Sequence, residues 1–152
     1  MTIRLANRDD VYQLSKLIWE NTEHVKENNY TPLQVKTWKE VNRPEEIEKS
    51  LEERLIFCAY RDEELLGTIG LRENEIVGLY VNYRKRQMGI GGKLMQFVED
   101  HARKKGINNL TLTSTPSARQ FYERRGYEPI KSVIVEVRGA AFSETLMRKE
   151  LV

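Results

Sequence analysis

The chain opens with Ile3 and Leu5 alternating with polar neighbours, the two-residue period of a short strand. Asn7, Asp9 and Asp10 then offer helix-capping side chains before Val11, Leu14, Leu17 and Ile18 recur at helical spacing. Tyr30-Thr31-Pro32 marks a second helix start, with Thr31 placed to cap and Pro32 at the first helical position, ahead of Leu33, Val35 and Trp38. Pro44-Glu45-Glu46 opens a third helical piece that reaches roughly to Glu53. Leu55 to Tyr60 is a compact apolar run, divided by the charged turn Arg61-Asp62-Glu63-Glu64 from a second run, Leu65 to Leu71. After Arg72-Glu73-Asn74, the segment Glu75-Ile76-Val77-Gly78-Leu79-Tyr80-Val81 is apolar on both faces, as in a central strand covered on each side. Its interior Gly78 predicts a bulge or a close backbone approach.

Farther on, Leu94, Met95, Val98 and Ala102 form an apolar helical stripe; Arg103-Lys104-Lys105 suits the negative end of that helix, and Gly106 ends it. Leu110 to Thr113 alternates as a strand, and Pro116 leads into a helix presenting Ala118, Phe121, Tyr122 and Arg125 along one side, closed by Gly126. Val133 to Val137 and Ser143 to Met147 flank Arg138-Gly139 as a final hairpin. A strand meander followed by a strand-loop-helix-strand-helix unit predicts an α/β or α+β layer with a mixed sheet.

Length then limits the picture to a single domain, residues 1–152. With 39% hydrophobic and 32% charged residues and no long block of like charge, the whole chain is expected to fold. Lys and Arg number 25 against 23 Asp and Glu, so there is no broad basic field, and nucleic acid is not expected as a partner. Cys58 stands alone, which excludes an internal disulfide and a cysteine zinc site within one chain; it reads as a small core residue. No segment approaches ~18 consecutive apolar residues, so no membrane span is expected and a cytoplasmic location is. His24 and His101 lack metal-ligand spacing, and no metal dependence is expected.

The chemistry is expected in the loop Arg86-Gln87-Met88-Gly89-Ile90-Gly91-Gly92, between the buried strand and the long amphipathic helix. Unpaired N–H groups at a helix start favour bound phosphate, glycines let a ligand approach the backbone, and Arg86 can add a charge-assisted contact. A Walker-type loop would need glycine where Gln87 stands and Ser or Thr at Leu94; the dinucleotide fingerprint would need a third glycine at Leu94. Both are excluded by spacing, which leaves another phosphate-bearing ligand or a tight turn without one.

Arg86-x-x-Gly89-x-Gly91 resembles the Gln/Arg-x-x-Gly-x-Gly/Ala signature of the GNAT superfamily of N-acetyltransferases, and it follows Leu79-Tyr80-Val81, where that family has a splayed fourth strand. Ser117-Ala118-Arg119-Gln120-Phe121-Tyr122-Glu123-Arg124-Arg125-Gly126-Tyr127 is similar to the family's second motif, Ala-x-x-Phe-Tyr-x-x-x-Gly-Phe/Tyr. Ile3-Arg4 with Asp9, Tyr30-Thr31-Pro32 with Trp38, and Met147-x-Lys149 extend the resemblance to one bacterial branch of uncharacterised members. It implies a mixed, mostly antiparallel central sheet of about seven strands flanked by about four helices. It also implies transfer of an acetyl group from acetyl-CoA to an amine, by direct attack in a ternary complex. A non-catalytic CoA-binding module, another acyl donor or an oxygen acceptor are the alternatives, and a homodimer is compatible with the family.

By resemblance, the amides from Arg86 to Gly92 would hold the CoA pyrophosphate, and the backbone edge of Leu79, Tyr80 and Val81 would bind the pantetheine arm. Tyr122 would protonate the departing thiolate, or else pack with Phe121. An amine with a pKa of ~10 needs a base before it attacks. The family's histone acetyltransferases place a glutamate on the fourth strand, where Glu75 stands here; its alternative is an exposed strand-end carboxylate, and Glu73 could act through water. Where many members carry a cofactor-binding asparagine, this chain has Thr115 preceded by Ser114, either of which could substitute. Trp19, Glu20, Glu23, Tyr30 and Trp38 are expected around the acceptor.

Overall fold

In the computed structural model, which describes residues 1–24 and 28–152, seven strands form one sheet between two helical layers. The strands are β1 (Thr2–Leu5), β2 (Leu55–Arg61), β3 (Glu64–Arg72), β4 (Glu75–Val81), β5 (Asn109–Ser114), β6 (Glu128–Val137) and β7 (Ala140–Glu150). Their order is β1-β2-β3-β4-β5-β7-β6, and every neighbouring pair is antiparallel except β4 and β5. The α-helices among the described residues are α1 (Val11–His24), α2 (Pro32–Val41), α3 (Pro44–Glu53), α4 (Ile90–Lys104) and α5 (Arg119–Arg124).

Strand alternation sorts the core onto two faces. In β2, Phe57 joins Leu94, Met95 and Val98 of α4, whereas Cys58 joins Leu14, Leu17 and Ile18 of α1 and Ile47 of α3. Leu65 and Leu66 of β3 divide in the same way. The first cluster continues under β5 and β7 through Leu110, Leu112 and Met147, so α4 ties the two halves of the sheet together.

Polar residues fix the helix starts. Asn7 Oδ1 accepts from the Asp9 amide at 2.8 Å, and the Asn7 amide donates to Asp10 Oδ2 at 2.8 Å, which nucleates the short turn Arg8–Asp10 ahead of α1. Thr31 and Gln34 cap α2 reciprocally, at 3.1 and 2.8 Å. Asp10 is 3% exposed and also accepts from both guanidinium nitrogens of Arg4 and from the Tyr60 hydroxyl, all at 2.8 Å. It thereby clamps β1, β2 and α1 at one point. Arg4, outweighing the cost of burial, holds the Asp10 carboxyl at about 2.

Four features differ from the sequence expectation. β6 begins at Glu128 instead of near Val133; as an edge strand with Ile130 and Ile134 exposed, it has no buried face to impose alternation, and an edge accepts Pro129. β7 likewise extends from Ala140 to Glu150, because β6 pairs with it from Ala140 to Arg148 and β5 from Thr145 to Glu150. Among the described residues there are five α-helices where about four are expected, and Tyr83–Met88 winds into a short 3-10 segment before α4.

The Asp10 pKa is depressed, so its contribution is complete above the ordinary value of 3.8 and is lost as pH falls towards about 2. Asp10→Asn is expected to lower stability at neutral pH by about 2 kcal/mol. Urea titrations across that acidic window should show wild type losing this increment while the variant loses none of it.

Candidate active site

The one parallel pair in the sheet is barely a pair. β4 and β5 meet only at Glu75 and Thr111, supported by the Thr111 amide donating to the Asn74 carbonyl at 2.9 Å. On its other side β4 stays in register with β3, but Leu79 faces Ile69 while Ile76 faces Leu71, so Gly70 opposes both Val77 and Gly78. That is a β-bulge, which bends and twists the strand that carries the extra residue. Gly78 adopts φ 86°, and a Cβ on Gly70 would stand 2.4 Å from the Val77 carbonyl oxygen. Beyond the bulge β4 runs away from β5, leaving peptide groups on that edge without a strand partner; Asn21 of α1 takes the Val81 carbonyl at 2.8 Å.

Between the diverging strands lies a cleft of about 690 Å³. Ile76 to Val81 form one wall, Leu112 and Thr113 face them from β5, and Phe121 and Tyr122 enter from α5. Arg86, Gly89, Gly91 and Gly92 line the mouth, and Tyr30, Trp38, Phe142 and Glu144 line the end beneath α2.

At the mouth, Gly89 adopts φ 70° with nothing within 4 Å of a would-be Cβ; the requirement there is conformational, not steric. Gly89 is the N-cap of α4, its carbonyl accepting from Lys93, so the Ile90, Gly91 and Gly92 amides have no intrahelical acceptor. These amides at the positive end of a helix of fifteen residues fit a phosphate group. Of the loop residues expected at a ligand, Arg86, Gly89, Gly91 and Gly92 line the cleft. Ile90 is buried and Met88 packs against the same core, so these two would contribute through the backbone, while Gln87 is exposed outside the cleft lining.

Tyr122 both packs and faces the cleft. Its ring lies edge-on to Phe121 and Tyr127, with centroids 5.2 and 6.0 Å away, and among the described residues none accepts from its hydroxyl. Burial, reinforced by the Glu144 carboxylate, raises its pKa above the ordinary phenol value, so it remains a proton donor across the neutral range. Glu75 lines the closed end of the cleft and is engaged by Arg72 at 2.7 Å. Thr115 also lines the cleft, its hydroxyl 3.3 Å from that of Ser117, which in turn donates to Asn28 Oδ1. Ser114 turns inward and donates to the Thr115 carbonyl.

Of the residues expected around the acceptor, Tyr30 and Trp38 line the cleft. Trp19 instead donates to the Asn42 carbonyl at 3.2 Å, Glu20 pairs with Arg84 at 3.0 Å, and Glu23 with Lys39, all outside the cleft. Cys58 is fully buried, and its thiol is pushed up to about 12 by that burial, which removes it as a nucleophile at neutral pH. His24 stacks on Tyr83 with centroids 4.1 Å apart and His101 meets Phe57 at 5.4 Å. Among the described residues no three His, Cys, Asp or Glu side chains gather as a metal site, and no helix is long and apolar enough to cross a membrane. Sequence reasoning missed Asn28, Phe142 and Glu144. For the last two a signal existed: Phe142 and Glu144 are two apart in a strand, hence on one face.

A mostly antiparallel sheet split at a single parallel pair, with a helix N-terminus at the mouth of the split, is the architecture of the GNAT acetyltransferases. Residues 26–151 match the family described as the acetyltransferase (GNAT) domain, and the chain belongs to that family, whose members use acetyl-CoA as co-substrate. An uncharacterised N-acetyltransferase of Escherichia coli K12, YafP, is 26% identical over 146 residues, spanning 96% of this chain and 93% of the relative. Among solved structures, a GCN5-related N-acetyltransferase from Rhodopseudomonas palustris has a TM-score of 0.92 at 22% identity, covering 99% of this chain and 95% of that one. The PaiA N-acetyltransferase of Thermoplasma acidophilum, solved in complex with coenzyme A, has a TM-score of 0.81 at 20% identity, covering 99% of each chain.

Gly70→Ala tests the bulge. Its methyl must displace the Val77 carbonyl, and urea denaturation should show a loss of about 1–3 kcal/mol, the usual cost of overpacking.

Proposed function

We propose that this protein transfers the acetyl group of acetyl-CoA to a primary amine by direct attack, both substrates being held at once in the cleft between β4 and β5. The observation that carries this reading is the strand divergence itself. It leaves a row of β4 peptide groups that require partners, in a cleft wide enough for the extended amide chain of pantetheine to supply them. The Arg86 side chain and the Gly91 and Gly92 amides would take the pyrophosphate, and Thr115, with Ser117 and Asn28 beside it, would stand where the family's asparagine binds. That the Thermoplasma neighbour was solved in complex with coenzyme A supports coenzyme A as the ligand class.

Bound acetyl-CoA supplies an activated thioester. The chain's part is to align it with the amine, keep bulk water from the reacting atoms, and provide a proton for the departing sulfur. Tyr122 suits that proton transfer because it is buried, held protonated, and open to the cleft. Direct attack is favoured over an acyl-cysteine route because Cys58 lies on the α1 side of the sheet with a raised pKa. The reading includes a cytoplasmic location, since a single cysteine calls for no oxidising compartment.

Calorimetric titration with acetyl-CoA should show one site per chain; no binding at submillimolar concentration would remove the reading. Tyr122→Phe is expected to bind acetyl-CoA as wild type does and to acetylate amines about 10- to 1,000-fold more slowly. An unchanged rate would take Tyr122 out of the chemistry.

A further inference from the structure

Among the described residues two carboxylates line the cleft, and the fold treats them differently. Glu75 is occupied by Arg72, its register partner across β3 and β4. Glu144 lies on β7, two residues beyond Phe142 and on the same face of the strand, partly buried at the end of the cleft that approaches Tyr122. Among the described residues no Lys, Arg or His pairs with it. Its surroundings are neutral: the Thr113 hydroxyl, which favours its ionised form, and the phenols of Tyr30, Tyr80 and Tyr122, whose ionisation it opposes. Burial outweighs Thr113 and raises the Glu144 pKa. A carboxylate enclosed by neutral groups is costly until a cation joins it.

The walls around Glu144 specify which cation. Phe142 meets Tyr30 edge-on at 5.6 Å and Trp38 at 5.4 Å, and the Trp38 indole donates to the Tyr80 hydroxyl at 3.0 Å, which locks the rings against one another. Ring faces attract an ammonium group and also cover an aliphatic or aromatic stem. A second anion on the ligand would meet Glu144, with which no cation among the described residues pairs.

We propose that Glu144 is the acceptor carboxylate: it receives the ammonium group of a primary amine against Tyr30, Trp38, Tyr80 and Phe142 and takes the proton that must leave before attack. The proposal rests on the acetyltransferase reading above and narrows its acceptor to amines with an apolar stem and no adjacent carboxylate. The ammonium nitrogen gives one proton to Glu144, and its freed electron pair forms the C–N bond at the thioester carbonyl carbon. The C–S bond breaks with its electron pair on sulfur, which takes the Tyr122 proton. The nitrogen's second proton, released as the amide forms, restores the phenol, and Glu144 returns its proton to solvent. One amide, one thiol and one net proton result.

The test is calorimetric titration of the coenzyme A-saturated protein with phenethylamine, hexylamine and phenylalanine. At least one of the two amines should bind, with phenylalanine tenfold or more weaker than phenethylamine. Glu144→Gln should weaken amine binding tenfold or more and lower kcat/KM for acetyl transfer by about 100-fold or more, the scale of a lost general base. The same variant should bind coenzyme A within twofold of wild type, which also reports that it is folded. Glu75→Gln should keep amine affinity within twofold. Unchanged amine affinity in Glu144→Gln, equal affinity for phenylalanine, or failure of both amines to bind a wild-type protein that binds coenzyme A would each overturn the proposal while leaving the coenzyme A site standing. Failure of wild type to bind coenzyme A would overturn both.

Discussion

The structure turns on a pairing that is mostly not made. A parallel neighbour placed within an antiparallel sheet could zip along its full length, as β2 and β3 do, and the cleft would close. The bulge opposite Gly70 prevents this by adding a residue to β4, so that the strand satisfies β3 on one edge and departs from β5 on the other. Unpaired peptide groups are expensive to bury, so the exposed edge must be met by water or by another extended amide chain. The feature that weakens the sheet as a sheet is thus the feature that makes a ligand of pantetheine's chemistry fit.

A sheet opened in its middle needs bracing on both faces. On one, Leu94, Met95 and Val98 of α4 pack with β2 and β3 residues as well as with Leu110, Leu112 and Met147 beyond the gap. On the other, α2 reaches across: the Gln34 side-chain Nε2 donates to the Ala141 carbonyl at 2.7 Å, and Trp38 contacts both Tyr80 of β4 and Phe142 of β7. The rings that line the acceptor end are therefore also the brace, and a substitution among them acts on shape and chemistry together.

How much of this was legible in the sequence depends on whether a residue's role is local. Thr31-Pro32, the stripe from Leu94 to Ala102 and the two-sided apolar run of β4 are local patterns, and each element appears where its pattern lies. Gly78 marked the irregularity in β4, but its counterpart Gly70 sits in another strand, and only the register between them makes a bulge. The edge strand β6 has no buried face, so its first half carried no periodic signal. At the site, Arg86, Gly89, Gly91, Gly92 and Tyr122 fall within short motifs and could be located; Glu144, Phe142 and Asn28 come from distant segments that meet only in the folded cleft. The significance of Glu144 is electrostatic and depends on what does not stand beside it, which a linear pattern does not record.

That dependence is clearest when Glu144 is set beside Glu99. Glu99, 1% exposed in α4, is fully served from within: the Tyr127 hydroxyl donates at 2.8 Å, Lys149 lies at 3.2 Å and Arg125 at 3.6 Å. A buried charge so surrounded joins α4 to α5 and β7 and has no capacity left for a ligand. Glu144 is on the same strand as Lys149, yet it lies among phenols and an indole, and no Lys, Arg or His among the described residues pairs with it. Among the described residues, the fold supplies cations to the buried Glu99 and none to the half-buried Glu144. Withholding has a functional consequence, because the missing partner must then come from outside, and a cationic acceptor gains at Glu144 the interaction that water gave it in solution. The same absence keeps Tyr122 protonated, since both burial and the Glu144 charge oppose phenolate. One uncompensated carboxylate thus recruits the nucleophile and preserves the acid, which is why donor site and acceptor site function as one cleft.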